Sequence, residues 1–174
     1  MQEFDAIRPY LDEETGTAIN NLVRDPEFLD MIGRFKSPTL AKWAPGMLRV
    51  WVKRWLARNF GGLTRIDDLQ ARLSGYVGEL VDHTTTRVTH SGLENLDKQS
   101  AHLFISNHRD IVFDPMVVNY LLFANGFNTT RIAIGDNLLA NRVFAEMMRL
   151  NKSFVVRRSM TSPREMRDAY IMLS

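Results

Sequence analysis

Apolar side chains in the N-terminal half of the chain recur at intervals of three and four residues, which predicts helices. Asp25 followed by Pro26 is typical of a helix N-cap with proline at the first helical position. The prolines in Ser37–Pro38 and Pro45–Gly46 predict breaks between short helices. We therefore predict an N-terminal helical region over residues 1–82.

A longer amphipathic helix is predicted from Met47 to Phe60. Its apolar residues lie mostly on one side of the helical wheel, and its basic residues lie mostly elsewhere. Gly61–Gly62 ends this helix, and a further helix is predicted from Arg65 to about Val81. The helical region thus contains one element with separate apolar and cationic sides.

Beyond the N-terminal region, short apolar or β-branched runs alternate with helical patterns. Strands are predicted at residues 87–91, 103–105, 131–134 and 153–156. Helices are predicted at residues 115–124 and 141–150, and from Pro163 to the end. Alternation at this spacing is typical of βαβ units. The predicted fold class is therefore α/β: a mainly parallel sheet with covering helices over residues 83–174, preceded by the N-terminal helical region.

The composition is that of an ordinary globular protein, with 45% hydrophobic and 24% charged residues among 174. The net charge of +2 does not indicate nucleic acid, and no nucleic acid is expected as a partner. The absence of cysteine excludes disulfide frameworks, thiolate nucleophiles and cysteine-ligated zinc. The N-terminus lacks the apolar segment of a signal peptide, and no stretch is long and apolar enough for a transmembrane helix. We expect a cytoplasmic protein that is peripheral on the membrane.

The densest cluster of reactive side chains, residues 107–114, follows the predicted strand at 103–105. Ligand sites in open α/β sheets lie beyond the carboxyl ends of strands. His108 can take a proton from a hydroxyl, and Asp114 or Asp110 can orient its ring. Asp114 before a proline also fits a helix N-cap, which needs no catalysis. The four histidines show no spacing that indicates a metal site.

Two other enzyme classes lack residues that they need. His108-Arg109-Asp110 resembles the catalytic loop of protein kinases, but the asparagine expected seven positions after the histidine is Pro115. The chain also has no Asp-Phe-Gly and no glycine-rich phosphate loop before a strand lysine. A hydrolase of lipid esters or thioesters is unsupported, since there is no Gly-x-Ser-x-Gly elbow and no cysteine nucleophile.

Two sequence blocks resemble the glycerolipid acyltransferase superfamily, which includes bacterial glycerol-3-phosphate and 1-acylglycerol-3-phosphate acyltransferases. The first block is Phe104–Asp110 with its continuation to Asp114. The second comprises Ile134–Leu138 and, after a helix, Lys152–Ser159. Two blocks in the right order and at sensible spacing are much more specific than either one. Together they span about Arg87–Ser159.

The resemblance implies an O-acyltransferase of phospholipid synthesis that takes a fatty acyl group from acyl-CoA or acyl carrier protein and has no resident cofactor. The acceptor is a hydroxyl of 1-acylglycerol 3-phosphate or of glycerol 3-phosphate. His108 is implied as the general base and Asp114 as the residue that orients it. Arg157, or alternatively Arg158, is implied to hold the acceptor phosphate, because a guanidinium pairs with two phosphate oxygens. The other implied substrate-binding residues are Asn107, Arg109 and Asn137.

The chain departs from the family pattern in two ways. The common pattern has four residues between His and Asp, whereas five separate His108 from Asp114, and Phe113 occupies the usual place. Either the turn holds one extra residue and Asp114 still reaches the imidazole, as we expect, or Asp110 orients the ring, or the pair is weakened. The family's third block, of the Glu-Gly-Thr-Arg type, is not found, so we expect the core to be incomplete at the C-terminus. The alternative function is a non-catalytic lipid- or partner-binding module with a degenerate acyltransferase site.

No acidic residue occurs from Met31 to Ile66, and all three tryptophans lie in this stretch. A helix with tryptophan on one side and Lys or Arg on another can lie in the headgroup layer of an anionic membrane. The same pattern fits a helix that packs its apolar side on the catalytic sheet. With the acyltransferase resemblance, we expect membrane contact. The residues expected to make it are Trp51, Trp55, Arg49, Lys53 and Arg54.

Overall fold

Among the described residues, five consecutive helices form the N-terminal region, which the sequence predicts to be helical. The computed structural model describes residues 8–107, 109–156 and 167, apart from the side chain of Leu138. The helices are α1 (Asp12–Arg24), α2 (Pro26–Lys36), α3 (Pro38–Trp43), α4 (Pro45–Phe60) and α5 (Ile66–Thr84). The predicted breaks at the two proline sites and after Phe60 are therefore confirmed.

The predicted N-cap at Asp25 is also confirmed. Its carboxylate accepts hydrogen bonds from the backbone N–H groups of Glu27, at 2.9 Å, and Phe28, at 3.2 Å. Pro26 occupies the first helical position of α2, where a missing N–H removes no intrahelical bond. Local chemistry alone thus accounts for where this helix begins.

Within the described residues, the C-terminal part contains helix α6 (Phe113–Ala124) followed by one βαβ unit. The unit consists of β1 (Ile132–Gly135), α7 (Arg142–Leu150) and β2 (Ser153–Val156). β1 and β2 pair in parallel, with Ile132 opposite Ser153 and Gly135 opposite Val156. A short 3-10 turn, Asp136–Ala140, joins β1 to α7. Within the described residues the sheet has two strands, so the larger parallel sheet stays a prediction.

Two predicted strands are not formed, at residues 87–91 and 103–105. Leu103 and Ile105 are 85% and 87% exposed, so this apolar run is not a buried strand. A strand is stabilised by backbone pairing with a neighbour, and no described strand pairs with either segment. Three apolar residues in a row could not reveal whether such a neighbour exists. The helix predicted from Pro163 onward lies outside the described residues, apart from the helical Arg167.

The chain divides into two compact units, Met1–Leu69 with Arg131–Ser174, and Gln70–Thr130. In the first unit, α7 packs against α1 and β2. Arg142 of α7 forms an ion pair with Asp25, and Asn141 donates a hydrogen bond to Glu27 at 2.6 Å. The N-terminal helices therefore share one core with the two strands. The predicted division between residues 82 and 83 stays a prediction.

The second unit contains most of α5 and all of α6. An added Cβ at Gly78 of α5 would lie 3.2 Å from the ring of Tyr120 of α6, which shows that the two helices approach closely there. The buried side chain of Asn119 accepts hydrogen bonds from the Thr130 backbone N–H at 2.7 Å and hydroxyl at 2.9 Å. These bonds tie α6 to the end of the unit.

Candidate active site

The first sequence block lies in the second unit, at the start of α6. Asp110 precedes the helix, and its Oδ1 accepts hydrogen bonds from the N–H groups of Val112, at 2.8 Å, and Phe113, at 2.7 Å. The first N–H groups of a helix have no partner within the helix, and an aspartate before the first turn is a favoured acceptor for them. Asp110 therefore has a clear structural role, whatever its part in catalysis.

Asp114 folds back over the same turn. Its Oδ2 accepts hydrogen bonds from the backbone N–H of Arg109 at 2.6 Å and of Asp110 at 3.0 Å. Asp110 accepts from the amides that follow it and Asp114 accepts from the amides that precede it, so the two carboxylates close the turn from both sides. α6 begins at Phe113, so Asp114 lies inside the first turn and is not the N-cap that Asp114 before Pro115 suggested.

This closed turn bears on the one extra residue between His108 and Asp114, compared with the common family pattern. Five residues separate His108 from Asp114, yet the carboxylate of Asp114 returns to the amide that directly follows His108. All of the hydrogen bonds that the described residues make to Asp114 use Oδ2. His108 itself lies outside the described residues, so its predicted contact with Asp114 stays a prediction. What the turn does is hold one half-buried carboxylate beside the loop that carries the histidine.

The predicted substrate-binding residues belong to different units. Asn107 and Arg109 flank His108 in the second unit, and both are exposed. In the first unit, Asn137 is exposed in the 3-10 turn that directly follows β1. Arg157 directly follows β2 in the sequence, but Arg157 and Arg158 lie outside the described residues.

The two paired strands of the second block end at the same edge. Gly135 is opposite Val156, and because the strands are parallel, their carboxyl ends lie at the same edge of the sheet. Asn137, in the 3-10 turn that follows β1, thus lies at the kind of edge where α/β proteins bind ligands. The substrate roles of Asn137 and of Arg157, which lies outside the described residues, stay predictions.

The five predicted membrane-contact residues differ in their surroundings. Trp51, Lys53 and Arg54 are exposed. Trp55 is half-buried, and the ammonium of Lys36 lies 3.8 Å from its ring centroid. Arg49 binds Asp30 of α2 through two hydrogen bonds, at 2.5 and 2.6 Å. The guanidinium of Arg49 holds the pKa of the Asp30 carboxyl below its usual value.

A cleft of about 350 Å³ in the second unit lies away from the predicted catalytic loop. It is lined by the end of α5, by residues 85–90 and by the last turns of α6, including Tyr120 and Asn125. Asp114 is at the opposite end of α6, so the cleft is separate from the turn described above.

Among the described residues, no three His, Cys, Asp or Glu side chains are grouped in a way that could hold a metal ion. None of the described helices combines the length and apolar character needed to cross a membrane.

Sequence reasoning missed the capping role of Asp110. The signal was present, because an aspartate followed four positions later by a second acid, just before an apolar run, is close to a capping-box pattern. Among the described residues, hydrogen-bond geometry separates the two carboxylates, since Asp114 accepts from the amide of Arg109, beside His108, and Asp110 accepts from the amides of Val112 and Phe113.

Comparison with curated proteins and with solved structures gives no match. A protein-family model described as Acyltransferase matches residues 87–173, which is half of the 174-residue chain. The match includes both sequence blocks and the Asp110–Asp114 turn. The chain therefore belongs to the acyltransferase family of the glycerolipid acyltransferase superfamily.

Proposed function

We propose that this protein is a glycerolipid O-acyltransferase that moves a fatty acyl group from an acyl-CoA or acyl-carrier-protein thioester to a hydroxyl of 1-acylglycerol 3-phosphate or glycerol 3-phosphate. Family membership supports acyltransferase activity. The observation that carries the finer proposal is the return of Asp114 to the amide of Arg109, because it places a carboxylate beside the histidine's own loop.

In the proposed reaction, His108 is the general base. Its neutral imidazole takes the proton from the acceptor hydroxyl as the oxygen attacks the thioester carbonyl carbon. The carbon–sulfur bond then breaks, and the imidazolium returns its proton to the leaving thiolate. The net products are an ester and a free thiol, with no covalent acyl-enzyme and no resident cofactor. Asp114 favours the required tautomer and stabilises the imidazolium while the proton is held.

The acceptor phosphate is proposed to bind Arg157, with Arg158 as the alternative. A planar guanidinium fits two phosphate oxygens at once, which fixes the acceptor's orientation as well as its charge. Asn107, Arg109 and Asn137 are proposed to contact substrate. The exposure of these three side chains supports that role, since groups that bind a ligand must be reachable from solvent before it arrives.

The test is a thiol-release assay with acyl-CoA and, separately, acyl carrier protein as donor, using each of the two acceptors. The protein is compared with His108→Ala and with a matched control, His102→Ala. His102 is exposed and contacts the carbonyl oxygen of Asp97, at 2.7 Å, in the same unit. We expect acceptor-dependent release that is lost in His108→Ala and retained in His102→Ala.

Absence of release with both donors and both acceptors contradicts the proposal and favours the non-catalytic binding module. Equal loss in both histidine variants also contradicts it, because the effect is then not specific to the proposed base.

In the cell, we propose that the enzyme works at the cytoplasmic membrane surface, where the acyl product enters the lipid bilayer.

A further inference from the structure

Helix α4 divides its apolar residues between two faces. Four of them lie at four-residue intervals and are buried against the neighbouring helices: Leu48, Val52, Leu56 and Phe60. This stripe accounts for the packing of α4 in the first unit, since a core-facing helix needs one apolar stripe of about this width. The exposed apolar residues of the helix, Met47, Val50 and Trp51, are therefore not explained by packing.

Those residues lie on one outward face. Met47, Trp51, Arg54 and Arg58 are spaced at intervals of four, three and four residues, so they line a single side of the helix, with Val50 beside them. We call these five residues the Trp51 face. Met47 is 74% exposed and Trp51 is 52% exposed. Two large apolar side chains thus face solvent directly next to two arginines.

Helix α3, which contacts α4, adds more exposed apolar surface. None of its residues is buried, Trp43 is 84% exposed and Leu40 is 51% exposed. Isolated apolar residues on a surface are ordinary, but several on consecutive helices indicate a binding surface. The exposed apolar residues of α3 and α4 include two of the three tryptophans of the chain, Trp43 and Trp51.

The charged residues of α3 and α4 have one sign. No Asp or Glu occurs from Met31 to Ile66, which covers α3, α4 and most of α2. The nearest acid on α2, Asp30, is bound by Arg49 on another side of α4. Within the part of the chain that the structure describes, Arg54 and Arg58 form no ion pair. Their charges are available to an anionic partner.

From these observations we propose that the Trp51 face, together with Leu40 and Trp43, binds the surface of an anionic lipid bilayer. Tryptophan has an apolar ring and one N–H donor, which suits the boundary between acyl chains and headgroups. Arginines at the same level meet lipid phosphate. A second copy of the chain fits less well, because the same face on both copies opposes arginine to arginine.

The proposal narrows the predicted membrane contact. Lys53 is two positions from Trp51, so it points about 200° away around the helix. Trp55 lies under Lys36 and Arg49 is bound to Asp30. We therefore assign lipid contact to Trp51, Arg54 and Arg58, and not to Lys53, Trp55 or Arg49. This assignment concerns binding only and stands without any acyl transfer.

The experiment is sedimentation of the full chain with vesicles made of equal parts phosphatidylcholine and phosphatidylglycerol, and with vesicles of phosphatidylcholine alone. No acyl donor or acceptor is added, so failure of the proposed enzyme activity does not affect the readout. We expect binding to the anionic vesicles and release by high salt. Circular dichroism of every variant checks that the helices are intact.

Matched variants locate the surface. Trp51→Ala should weaken vesicle binding about tenfold, since a tryptophan side chain leaves the interface. Arg54→Ala with Arg58→Ala should weaken it roughly 25-fold, at about fivefold for each charge near an anionic surface. Trp55→Ala removes the half-buried tryptophan under Lys36, and Lys53→Ala removes a cation from another side of α4; each should change binding less than twofold.

Three results overturn the proposal. One is equal binding to the neutral and anionic vesicles. Another is a loss in Trp55→Ala or Lys53→Ala as large as that in the Trp51 and arginine variants, because the face is then wrongly assigned. The third is preference for polyglutamate over anionic vesicles, which indicates an acidic protein partner instead of lipid.

Discussion

The carboxylate of Asp114 is both a hydrogen-bond acceptor and a negative charge. Two substitutions distinguish the effect of the acceptor from the effect of the charge. Asp114→Asn removes the charge but keeps a carbonyl oxygen that can accept from the N–H groups of Arg109 and Asp110. Asp114→Ala removes both properties. If Asp114 works only as a structural closure of the turn, Asn should substitute for it. If its charge supports the imidazolium of His108, Asn should fail in catalysis while preserving the fold.

The magnitudes follow from the two observed bonds, at 2.6 and 3.0 Å. A hydrogen bond to a charged group contributes about 1.5–3 kcal/mol when buried, and a neutral one contributes roughly half as much. Asp114 is only half-buried and the two amides are exposed, so water replaces part of the loss. We expect Asp114→Ala to lower the free energy of unfolding by roughly 1–3 kcal/mol, and Asp114→Asn by about 1 kcal/mol or less.

Activity should respond in a different order. Loss of the carboxylate that orients a catalytic imidazole lowers kcat by up to about 10⁴-fold, because the wrong tautomer is favoured. We therefore expect Asp114→Asn to reduce acceptor-dependent thiol release by roughly 10²- to 10⁴-fold. Urea unfolding followed by circular dichroism measures the stability of the same samples. A large loss of activity with a small loss of stability is the predicted signature.

Asp110→Asn is the matched control, because the Oδ1 of Asp110 accepts hydrogen bonds from the backbone N–H groups of Val112 and Phe113, whereas Asp114 accepts from that of Arg109. It should lower stability by about 1 kcal/mol, as other lost helix caps do, and should lower activity less than tenfold. Wild-type activity in Asp114→Asn together with inactivity in Asp110→Asn refutes the reasoning and assigns the orienting role to Asp110.

Three further predictions concern stability. Arg8 binds both carboxylate oxygens of Glu14 and lowers the pKa of Glu14 from 4.5 to about 2. This pair therefore stabilises the fold fully above pH 4.5 and progressively less as the pH falls to 2. In a plot of the free energy of unfolding against pH, Glu14→Gln should flatten this range, and an unchanged slope contradicts the assignment. Asn119→Ala should cost about 1–3 kcal/mol in urea unfolding and Thr130→Val less, because the valine keeps the backbone donor; equal costs count against this. The fully buried hydroxyl of Ser153 has no partner among the described residues, so Ser153→Ala should raise stability by about 1 kcal/mol; a decrease places a partner outside them.

The helical region was predictable because its signals are local. Proline at Pro26, Pro38 and Pro45 begins three helices, and Gly61 ends α4. Each signal acts through the chain within one helical turn, by removing an N–H or by supplying a cap. No distant residue is needed to interpret them, so the predicted boundaries agree with the observed ones to within a few residues.

The strands divide according to whether a partner is present. Residues 132–135 and 153–156 pair with each other, and both were predicted. Residues 103–105 have an equally apolar sequence but no described strand beside them, and their side chains are exposed. An apolar run shows that a segment has side chains suited to burial. Whether they are buried depends on whether the tertiary structure places another element against them.

The candidate site shows the same division. The sequence identifies the family and the reactive cluster, since residue types and their order are properties of the chain itself. It could not assign separate roles to Asp110 and Asp114, because both lie within six residues of His108. Hydrogen-bond geometry distinguishes them, and that geometry exists only once the turn has formed.

The family, the helix boundaries and the amphipathic character of α4 could all be inferred from the sequence alone. That Leu48 and Val52 enter the core while Met47 and Trp51 remain outside is a property of the folded chain. The hydrophobic effect is non-directional, so a helix with apolar residues on two sides can bury either of them. Which side is buried depends on where the neighbouring helices lie, and the side left over is the one available to a partner.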